Sequence, residues 1–515
     1  MMIDCEVLIC GLGPVGQLLA LLLTDLGVSV IAVDEADEPY PLPRAAVIDD
    51  EVLRIFQAIG LDAAVLRDAQ VQKTVTFVTD RGKKYEVLRP AHGDLGHPPL
   101  VSIHQPSMEH TMTAALDERG QTDVRWGTRV ETVDRAADHV DVYVRPTAGG
   151  RSSRIRSRFV VACDGGKSFV RRTLQIPFGG STYSQRWLVL DGLIDKPLAK
   201  VPHPHFVGDV KRPTVSLPMS PGRHRWEFML HPGEDAAPFE REARIRELTA
   251  PYITDEQVEF ERAVVYTFHV RRAERWRAGR VFLAGDSAHL TPPFVGQGFS
   301  SGARDAQNLA WKLEAVLRGA PSRLLDSYEV ERRPHVTSMQ NLAVRWGGVV
   351  QTANPAVGRM RDGLIGLAKL TGVLSIIREQ VKPLPTYGHG AFAERPAKLP
   401  FNRSVGSLFP QPERIDVQLG NRWSVVADSP AIAKAWRARG VASICSPVDP
   451  WLRANHCEWA LLRPDKFVYA TGDAGDIAAA AKGLEGLLGA SLGSLVPNAP
   501  APSSPAPESA AAVAS

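Results

Sequence analysis

Short apolar runs on either side of a leucine-rich helical pattern open the chain. Residues 6–10 (EVLIC) form one compact run that ends at Gly11, and residues 29–33 (SVIAV) form another that ends at Asp34. The leucine-rich stretch 18–26 between them has the spacing of a buried helix. The pattern predicts a strand–turn–helix–strand unit, the βαβ arrangement of a parallel sheet.

Further along, strand and helix patterns alternate. Helices are predicted over 49–59, 297–317 and 328–377. Alternating β-branched and polar residues predict antiparallel strands over 71–85 and 124–144, and compact apolar runs predict buried strands over 159–163 and 281–284. Prolines, tryptophans and alternating patterns between about 183 and 266 are typical of a separate sheet inserted into the first domain.

These patterns place the chain in the α/β class and suggest a division into domains. A dinucleotide-binding domain is predicted in two parts, with a substrate-binding sheet between them and a small α/β domain after a proline-rich linker. The predicted boundaries are 1–182 and 271–381 for the two parts, 183–270 for the sheet, 382–400 for the linker and 401–495 for the last domain. The tail 496–515, mostly Pro, Ala and Ser, is predicted to be disordered.

Composition narrows the choice of function. The 60 basic and 57 acidic residues are well mixed and give a net charge of +3, so no basic stripe for nucleic acid is expected. The five cysteines form no C-x-x-C pair and no His/Cys cluster at metal spacing, which predicts no metal site and favours the cytoplasm. No apolar run reaches the length of a membrane span.

The first chemical motif is the glycine-rich turn after the first strand, residues 11–16 (GLGPVG). Gly11 makes the turn, Gly13 lets a pyrophosphate approach the backbone beside Pro14, and Gly16 lets helix and strand pack closely. Asp34, with Glu35 beside it, lies where a carboxylate accepts ribose hydroxyls. The turn predicts nucleotide binding and by itself does not separate NAD from FAD.

Two later motifs favour FAD over NAD, because they resemble motifs of a known family. Residues 163–171 (CDGGKSFVR) and 279–289 (GRVFLAGDSAH) resemble the "DG" and "GD" fingerprints of the group A FAD-dependent aromatic hydroxylases, in the same order and spacing. The resemblance implies a Rossmann-like FAD-binding domain. It also implies FAD contacts from Asp164, Gly285, Asp286, Arg44 and Gln105.

The stretch 290–298 (LTPPFVGQG) follows the second fingerprint and leads into a long helix. Prolines stiffen the loop, and Pro293 is expected beside the reactive edge of the flavin, where water must be excluded. Gly296, Gln297 and Gly298 open the helix with free N–H groups, and the helix dipole there favours the negative charge of reduced flavin.

Within this family the chain is most similar to the 3-(3-hydroxyphenyl)propionate hydroxylase branch. Phe299-Ser300 stands where many members have Leu-Asn, and further likeness lies in 225–230, 266–271 and 406–412. The branch implies a thioredoxin-like C-terminal domain. Residues 462–465 (LRPD) resemble the sequence signature of that domain. Without a C-x-x-C pair that domain is excluded from disulfide exchange, so a structural role is expected, such as a homodimer contact.

The resemblance also implies the reaction. FAD takes hydride from NADH or NADPH bound transiently in a surface cleft, and a flavin C4a-hydroperoxide formed with O2 hydroxylates a small phenolic substrate ortho to its hydroxyl. A proton acceptor is expected near that hydroxyl, with His269 and Tyr266 as candidates. His289 is expected to be structural, and Arg223, Arg225 and Arg271 are unranked candidates for a substrate carboxylate.

Three alternatives stay open at this point. The same chemistry could act on another aromatic compound, such as a resorcinol, a quinolone or an aromatic polyketide. A non-oxygenating flavoprotein reductase or dehydrogenase would pass electrons to an acceptor other than oxygen. A flavin-bearing binding module would use its C-terminal region as a partner surface.

Overall fold

The structure is a computed structural model that describes residues 2–88, 94–231, 233–234, 241–372, 385–393, 404–446 and 449–492. Its first sheet has five parallel strands, in the spatial order Thr122–Arg125, Val30–Val33, Cys5–Cys10, Ser153–Ala162 and Val281–Leu283. Three antiparallel strands complete it. Arg277–Ala278 pairs with Val281–Leu283 at one edge, Val140–Pro146 pairs with Ser153–Ala162, and Thr128–Arg135 pairs with Val140–Pro146. The βαβ unit predicted from the sequence is confirmed.

Three helices cover this sheet, and their apolar faces form the largest core of the molecule with it. They span Pro14–Asp25, Gln105–Arg119 and Gln297–Leu317. Smaller elements border the same core: helices Asp50–Ala58, Asp62–Arg67 and Phe169–Thr173, and a three-stranded sheet of Val47–Asp49, Leu100–Ile103 and Ala69–Val71. The predicted helices over 49–59 and 297–317 match the structure, and the Asp49 side chain caps the first of them by accepting the Val52 N–H.

A second eight-stranded sheet stands against the first domain. Its order is His289–Leu290, Val258–Ala273, Phe178–Ile194, Arg223–Leu230, Thr214–Pro218, His205–Val207, Val75–Val78 and Lys84–Leu88. Helix Glu242–Thr249 and the short 3-10 turn Ala250–Tyr252 pack beside it. The sheet is therefore wider than the predicted segment 183–270, because it also takes in strands from the region 75–88.

The helical region predicted over 328–377 contains two helices in the structure. They span Ser327–Val350 and Pro355–Leu370, and residues 373–377 lie outside the described residues. The break comes at Asn354, whose side chain caps the second helix ahead of Pro355. Proline at the first helical position costs no intrahelical hydrogen bond, so Pro355 fits the start of the second helix. Proline alone does not end a helix in this region, since Pro334 lies inside Ser327–Val350.

The C-terminal domain has a four-stranded sheet in the order Ala442–Cys445, Ser424–Ala427, Trp459–Leu462 and Val468–Gly472. Helices Asp416–Leu419, Pro430–Arg437, Pro450–Ala454 and Ile477–Leu488 complete it. Its β-α-β-α-β-β-α connection is that of the thioredoxin-like fold expected from the sequence. Trp311 of the first domain lies in the same apolar core as Trp436 and Trp459, so the two domains share a packed interface.

Residues 382–384 and 394–400 of the predicted linker and the whole predicted tail 496–515 lie outside the described residues. Within the part of the chain that the structure describes, no helix combines the length and the apolar character needed to cross a lipid bilayer.

Candidate functional site

The glycine-rich turn brings two strands and a helix into contact that side chains would prevent. Gly11 has a φ of 104°, and a Cβ there would lie 2.5 Å from the carbonyl of Cys163 in the neighbouring strand. A Cβ on Gly16 would lie 1.9 Å from the Gly11 oxygen. The first glycine turn and the segment that begins at Cys163 are therefore adjacent, as the sequence motifs require.

Gly13 is the N-cap of helix Pro14–Asp25, and no side chain caps the N–H groups of that first turn. A Cβ on Gly13 would have no atom within 4 Å, so its Cα faces open space at the helix N-terminus. Unsatisfied N–H groups and the helix dipole make this a site for an anion such as a pyrophosphate. The packing of the described residues therefore does not require glycine at position 13, and the expected approach of a pyrophosphate remains a prediction.

The acidic pair after the second strand separates into two environments. Asp34 accepts hydrogen bonds from the N–H groups of Leu12 (2.6 Å) and Ala36 (2.9 Å), so it lies directly at the glycine turn. Glu35 is exposed and pairs with Arg129 at 3.2 Å on the surface. Of the two, only Asp34 contacts the turn.

Gln105 is buried and holds the loop that carries Arg44. Its Oε1 accepts from the N–H groups of Arg44 (3.2 Å) and Ala45 (2.5 Å), and its Nε2 donates to Glu109 at 2.5 Å. Burial raises the pKa of Glu109 to about 7, although the bond from Gln105 opposes that rise. Arg44 is exposed, with its guanidinium 4.3 Å from the centre of the Tyr40 ring.

The DG segment contains a buried carboxylate oxygen, which belongs to Asp164. Asp164 Oδ2 accepts the Val170 N–H at 3.0 Å, whereas Oδ1 is buried and has no hydrogen-bond partner among the described residues. Burial raises the pKa of this carboxyl group. Arg171 of the same segment donates to the Ser287 carbonyl at 2.8 Å, which ties the DG segment to the GD turn.

The GD turn begins where strand Val281–Leu283 ends. Gly285 has a φ of 61°, and a Cβ there would lie 3.0 Å from Val15 in the first helix. Asp286 is accessible to solvent but surrounded by protein, so desolvation raises the pKa of its carboxyl group, against the charges of His289 and Arg44. An accessible carboxyl group in such surroundings lies in a concave part of the surface.

A buried network of charged residues centred on Asp305 packs against the GD turn and holds it by hydrogen bonds. Asp305 accepts from the Gly285 N–H (3.1 Å), from His289 Nε2 (2.6 Å) and from Arg332 Nε (2.9 Å). Burial would raise the pKa of Asp305, but the charges of His289 and Arg332 outweigh it and lower that pKa. The structure thus places His289 in a supporting position beneath the turn.

The proline turn packs against the loop that follows Arg44. Residues Pro293–Val295 form a single 3-10 turn, and Gly296 follows with a φ of 62°. A Cβ on Gly296 would lie 2.1 Å from the Val47 side chain, so only glycine allows this contact. Gly298 is unobstructed in the first turn of helix Gln297–Leu317.

The Gln297 side chain faces away from the proline turn. It donates to Asp49 at 3.1 Å and accepts from Arg304 at 3.0 Å, while Arg304 also pairs with Asp49 and Glu51 at 2.6 Å. Gln297 can therefore offer a ligand its backbone N–H and not its side chain.

Above the proline turn, one face of the second sheet presents an aromatic and aliphatic surface. The Phe294 ring lies 5.8 Å from Trp187 and 5.6 Å from Phe268, measured between centroids. The rest of this cluster is apolar: Val215, Leu217, Met219, Met229 and Val350, with Ala46, Val47, Phe206 and Trp346 partly buried against it. A flat, dry aromatic substrate is compatible with such a surface.

The two candidate proton acceptors lie on opposite faces of strand Val258–Ala273. Tyr266 is paired with Trp187 and shares the face of Phe268, since side chains alternate along a strand. His269 follows Phe268 directly, points to the other face, and hydrogen-bonds Thr182 at 2.9 Å. The structure brings Tyr266 to the aromatic face and does not bring His269 there.

The three candidate cations for a substrate carboxylate are also distinguished. Arg225 is buried and pairs with Asp191 through two bonds of 2.7 and 3.0 Å, while its other donors reach the carbonyls of Pro43 and Arg44. Arg223 pairs with Glu261. Arg271 donates to Thr182 at 3.0 Å on a more exposed part of the sheet.

Sequence reasoning missed the partners of Arg225. Asp191 and Arg262 complete a buried ion cluster with it, and Arg262 also donates to the Pro43 carbonyl. A signal was available: period-2 alternation in 223–230 (RHRWEFML) puts Arg223, Arg225, Glu227 and Met229 on one face of a strand, opposite Trp226 and Phe228. Charged residues at buried strand positions require partners.

The residues present fit FAD in the places that the motifs assign. Four turns meet at the carboxyl edge of one parallel sheet, following Cys10, Val33, Ala162 and Leu283, where such sheets bind dinucleotides. They offer an open helix N-terminus at Gly13, an unpartnered carboxylate oxygen on Asp164 and an accessible carboxyl group on Asp286. Fold and site together define a dinucleotide-binding oxidoreductase.

Comparison with known proteins extends this description. The family described as "FAD binding domain" matches residues 4–343. A 3-(3-hydroxy-phenyl)propionate/3-hydroxycinnamic acid hydroxylase of Klebsiella pneumoniae (strain 342) is 34% identical over 511 residues, covering 90% of this chain and 91% of the relative. A hydroxylase of the same name from Mycolicibacterium gilvum (strain PYR-GCK) is 38% identical, covering 81% of this chain and 72% of the relative.

Solved structures with the same fold are also flavoenzymes. The flavin-dependent monooxygenase PieE, in complex with FAD and substrate, has a TM-score of 0.79 at 21% identity, covering 94% of this chain and 99% of that one. The p-nitrophenol 4-monooxygenase PnpA from Pseudomonas putida DLL-E4 has a TM-score of 0.66 at 26% identity, covering 74% and 97%. The chain belongs to the FAD-binding domain family of aromatic hydroxylases and is an FAD-dependent monooxygenase.

Proposed function

We propose that the protein uses NADH or NADPH and O2 to hydroxylate a small phenolic compound ortho to its hydroxyl, with 3-(3-hydroxyphenyl)propionate as the representative substrate. Relatives that carry this substrate in their names are 34–38% identical to most of the chain. Their similarity supports the substrate class, and the local structure supports the placement of the ring.

The observation that carries the proposal is the contact between the aromatic face and the proline turn. Phe294 lies between the turn and the rings of Trp187 and Phe268, so the space next to the turn is lined by apolar groups. Excluding water there protects a reactive oxygen species from side reactions. An aromatic substrate held against this face would have its ring beside the turn where the flavin is expected.

The chain's own residues divide the work of holding FAD. The N–H groups near Gly13 would bind the pyrophosphate, Asp34 the ribose of the adenosine, and Asp286 the ribityl chain. The N-terminus of helix Gln297–Leu317 would stabilise negative charge on the flavin ring. When bound, FAD carries electrons from the nicotinamide nucleotide to oxygen.

Aerobic oxidation of NADH and NADPH over a panel of phenols tests the proposal. We expect 3-(3-hydroxyphenyl)propionate to stimulate oxidation and to yield a product with one added ring hydroxyl, labelled when ¹⁸O2 is supplied. Stimulation only by a resorcinol, a quinolone or an aromatic polyketide would identify a different aromatic substrate for the same hydroxylation reaction. Oxidation coupled to another acceptor, without labelled product, would identify a reductase instead.

A matched pair of variants tests the cofactor site. Asp286→Ala should lose the yellow flavin colour and all activity, because the accessible carboxylate of the GD turn is removed. Asp117→Ala, on an exposed face of helix Gln105–Arg119, should keep both. Wild-type flavin content in Asp286→Ala would contradict the assignment. The cytoplasmic location and the homodimer expected from the sequence remain predictions.

A further inference from the structure

Glu227 is a carboxylate at the edge of the aromatic face, and neither the sequence motifs nor the FAD site gives it a role. On strand Arg223–Leu230 it lies between Val189 of one neighbouring strand and Val215 of the other. Val215 belongs to the cluster around Phe294, whereas Trp226 and Phe228 belong to the core on the opposite face. The Glu227 side chain therefore points to the face that meets the proline turn.

Cross-strand neighbours on the two sides of Glu227 form two rows of different character, one charged and one aromatic. On one side, Arg225, Asp191 and Arg262 form the buried ion cluster that holds the loop at Pro43. On the other side, Met229, Trp187 and Tyr266 continue the apolar and aromatic surface. Glu227 is the carboxylate at the boundary between these two rows.

The Glu227 carboxylate has no partner of its own. The residue is 8% exposed, yet no hydrogen bond or ion pair reaches its carboxylate from the residues that the structure describes. The carboxylate oxygens of Glu227 are not fully enclosed by protein, so a ligand beside this face can reach them. A buried, unpartnered carboxylate is costly, and a hydrogen-bond donor on a bound ligand would satisfy it.

We propose that Glu227 is the proton acceptor for the phenolic hydroxyl of the substrate, an inference that rests on the proposed function. The O–H bond of the phenol breaks, its proton passes to a carboxylate oxygen of Glu227, and the electron pair stays on the phenol oxygen. The phenolate ring is then more electron-rich at the ortho carbon that receives oxygen. The resulting carboxylic acid returns its proton to solvent after the product leaves.

The environment of Glu227 suits this task. Burial raises the pKa of its carboxyl group, and Asp191 adds to the rise, while Arg225 and Arg262 oppose it. A carboxylate with a raised pKa is a stronger base than an exposed one, and proton transfer is most efficient when the pKa of the base approaches the working pH. Tyr266, in the adjacent row, is placed to contact the ring and has no carboxylate to offer.

The test uses the full-length holoenzyme and four proteins: wild type, Glu227→Gln, Glu227→Asp, and the control Glu259→Gln on an exposed position of the same sheet. Flavin absorbance reports that each protein is intact. Binding of 3-(3-hydroxyphenyl)propionate and of its methyl ether, 3-(3-methoxyphenyl)propionate, is measured from the change in flavin absorbance. Product formation is measured for the phenol and for a ring-fluorinated analogue with a more acidic hydroxyl.

We expect Glu227→Gln to keep FAD and to form product at least about 100-fold more slowly, a typical loss for a missing general base. The loss should be smaller for the fluorinated phenol, because it needs less help to ionise, and Glu227→Asp should recover part of the rate. Wild type should prefer the phenol to its methyl ether by about tenfold, and Glu227→Gln should lose that preference. Glu259→Gln should behave as wild type.

Two results would overturn the inference. One is a Glu227→Gln protein with FAD bound that forms product within twofold of wild type. The other is a wild-type protein that binds the phenol and the methyl ether equally well, whatever its activity. If wild type hydroxylates no phenol but shows a preference that depends on Glu227, the proposed function fails and the contact between Glu227 and the hydroxyl stands.

Discussion

Arg463 of the C-terminal domain forms a two-point ion pair with Glu331, with both Nη–Oε distances at 2.9 Å and both side chains fully buried. Burial would raise the pKa of Glu331, but Arg463 and Lys312 outweigh it and hold that pKa at about 2. The next residue, Arg332, bonds Asp305 beneath the GD turn. The ion pair therefore joins the C-terminal domain to the helix that supports the expected flavin site.

Arg463→Ala should strongly destabilise the protein. It leaves the Glu331 carboxylate buried with Lys312 as its remaining cation, and breaking a buried pair from one side costs about 3–5 kcal/mol. Urea unfolding of the holoenzyme, followed by circular dichroism and flavin fluorescence, measures the loss. Arg439→Ala, at an exposed position of the same domain, should change the free energy of unfolding by less than about 0.5 kcal/mol. A similar small effect of Arg463→Ala would show that the pair contributes little.

Glu109 gives the stability of the protein a specific dependence on pH. Burial raises its pKa from 4.5 to about 7, so the folded protein holds this proton more tightly than the unfolded chain does. The stabilising contribution is complete below about pH 4.5 and is lost as the pH rises through about 7. Glu109→Gln keeps a neutral side chain at every pH, and the variant should gain stability relative to wild type over that range, on the order of 3 kcal/mol.

Thermal unfolding of the apoprotein at about pH 5 and about pH 8 checks this expectation. Glu118→Gln, on an exposed position of the same helix, should track wild type at both values. A stability difference between Glu109→Gln and wild type that does not change with pH would contradict the raised pKa.

The parts of the site that sequence could predict are those fixed by backbone geometry. Gly11 and Gly16 are required because two strands and a helix approach within the space of a Cβ, and such requirements leave glycine at constant spacing. The helix over 297–317 could be predicted, because Gly296 precedes it and apolar residues recur at helical spacing from Phe299 onward. Both signals are local, so a single sequence carries them.

The parts that sequence could not predict depend on contacts between distant segments. Nothing near Arg225 in the chain indicates that its donors reach Pro43 and Arg44 or that its carboxylate partner is Asp191. The pairing of His269 with Thr182 depends on an irregularity between Thr182 and Arg186 in the neighbouring strand. Pairing register and bulges are set by the assembled sheet, and local pattern leaves them open.

Gly13 and Gly16 should respond differently to the same substitution. Gly16→Ala places a methyl group 1.9 Å from the Gly11 oxygen, so the first domain should lose stability as well as FAD. Gly13→Ala meets no protein atom within 4 Å at a backbone φ of −65°, so the fold should be unaffected. Its methyl group nevertheless faces the N–H groups expected to bind pyrophosphate, and FAD affinity should fall at least about tenfold.

Thermal unfolding of the apoproteins and titration with FAD separate the two effects. Gly363→Ala, in helix Pro355–Leu370 and also free of contacts, is the matched control and should keep wild-type FAD affinity. Gly13→Ala that binds FAD as tightly as wild type would show that the pyrophosphate does not approach this turn.

Arg225→Lys should weaken the link between the second sheet and the FAD-binding loop. The guanidinium makes two bonds to Asp191 and donates to the carbonyls of Pro43 and Arg44, and the single ammonium group of lysine cannot reproduce this planar set. We expect the loop at Arg44 to become mobile, FAD affinity to fall several-fold, and hydroxylation to become uncoupled from NAD(P)H oxidation as water enters.

Fluorescence titration with FAD and the ratio of product formed to NAD(P)H consumed measure both effects. Arg223→Lys, which alters a more exposed pair with Glu261 on the same strand, serves as the control and should keep the wild-type ratio. In Arg225→Met, Asp191 would remain buried, and among the described residues its remaining cation would be Arg262 at 3.5 Å. The double variant Arg225→Met/Asp191→Leu should therefore be more stable than Arg225→Met alone. A double variant that recovers stability without recovering FAD affinity would show that the ion cluster positions the loop at Arg44. An Arg225→Lys protein with unchanged FAD affinity and an unchanged ratio of product to NAD(P)H would show that the cluster does not position the loop.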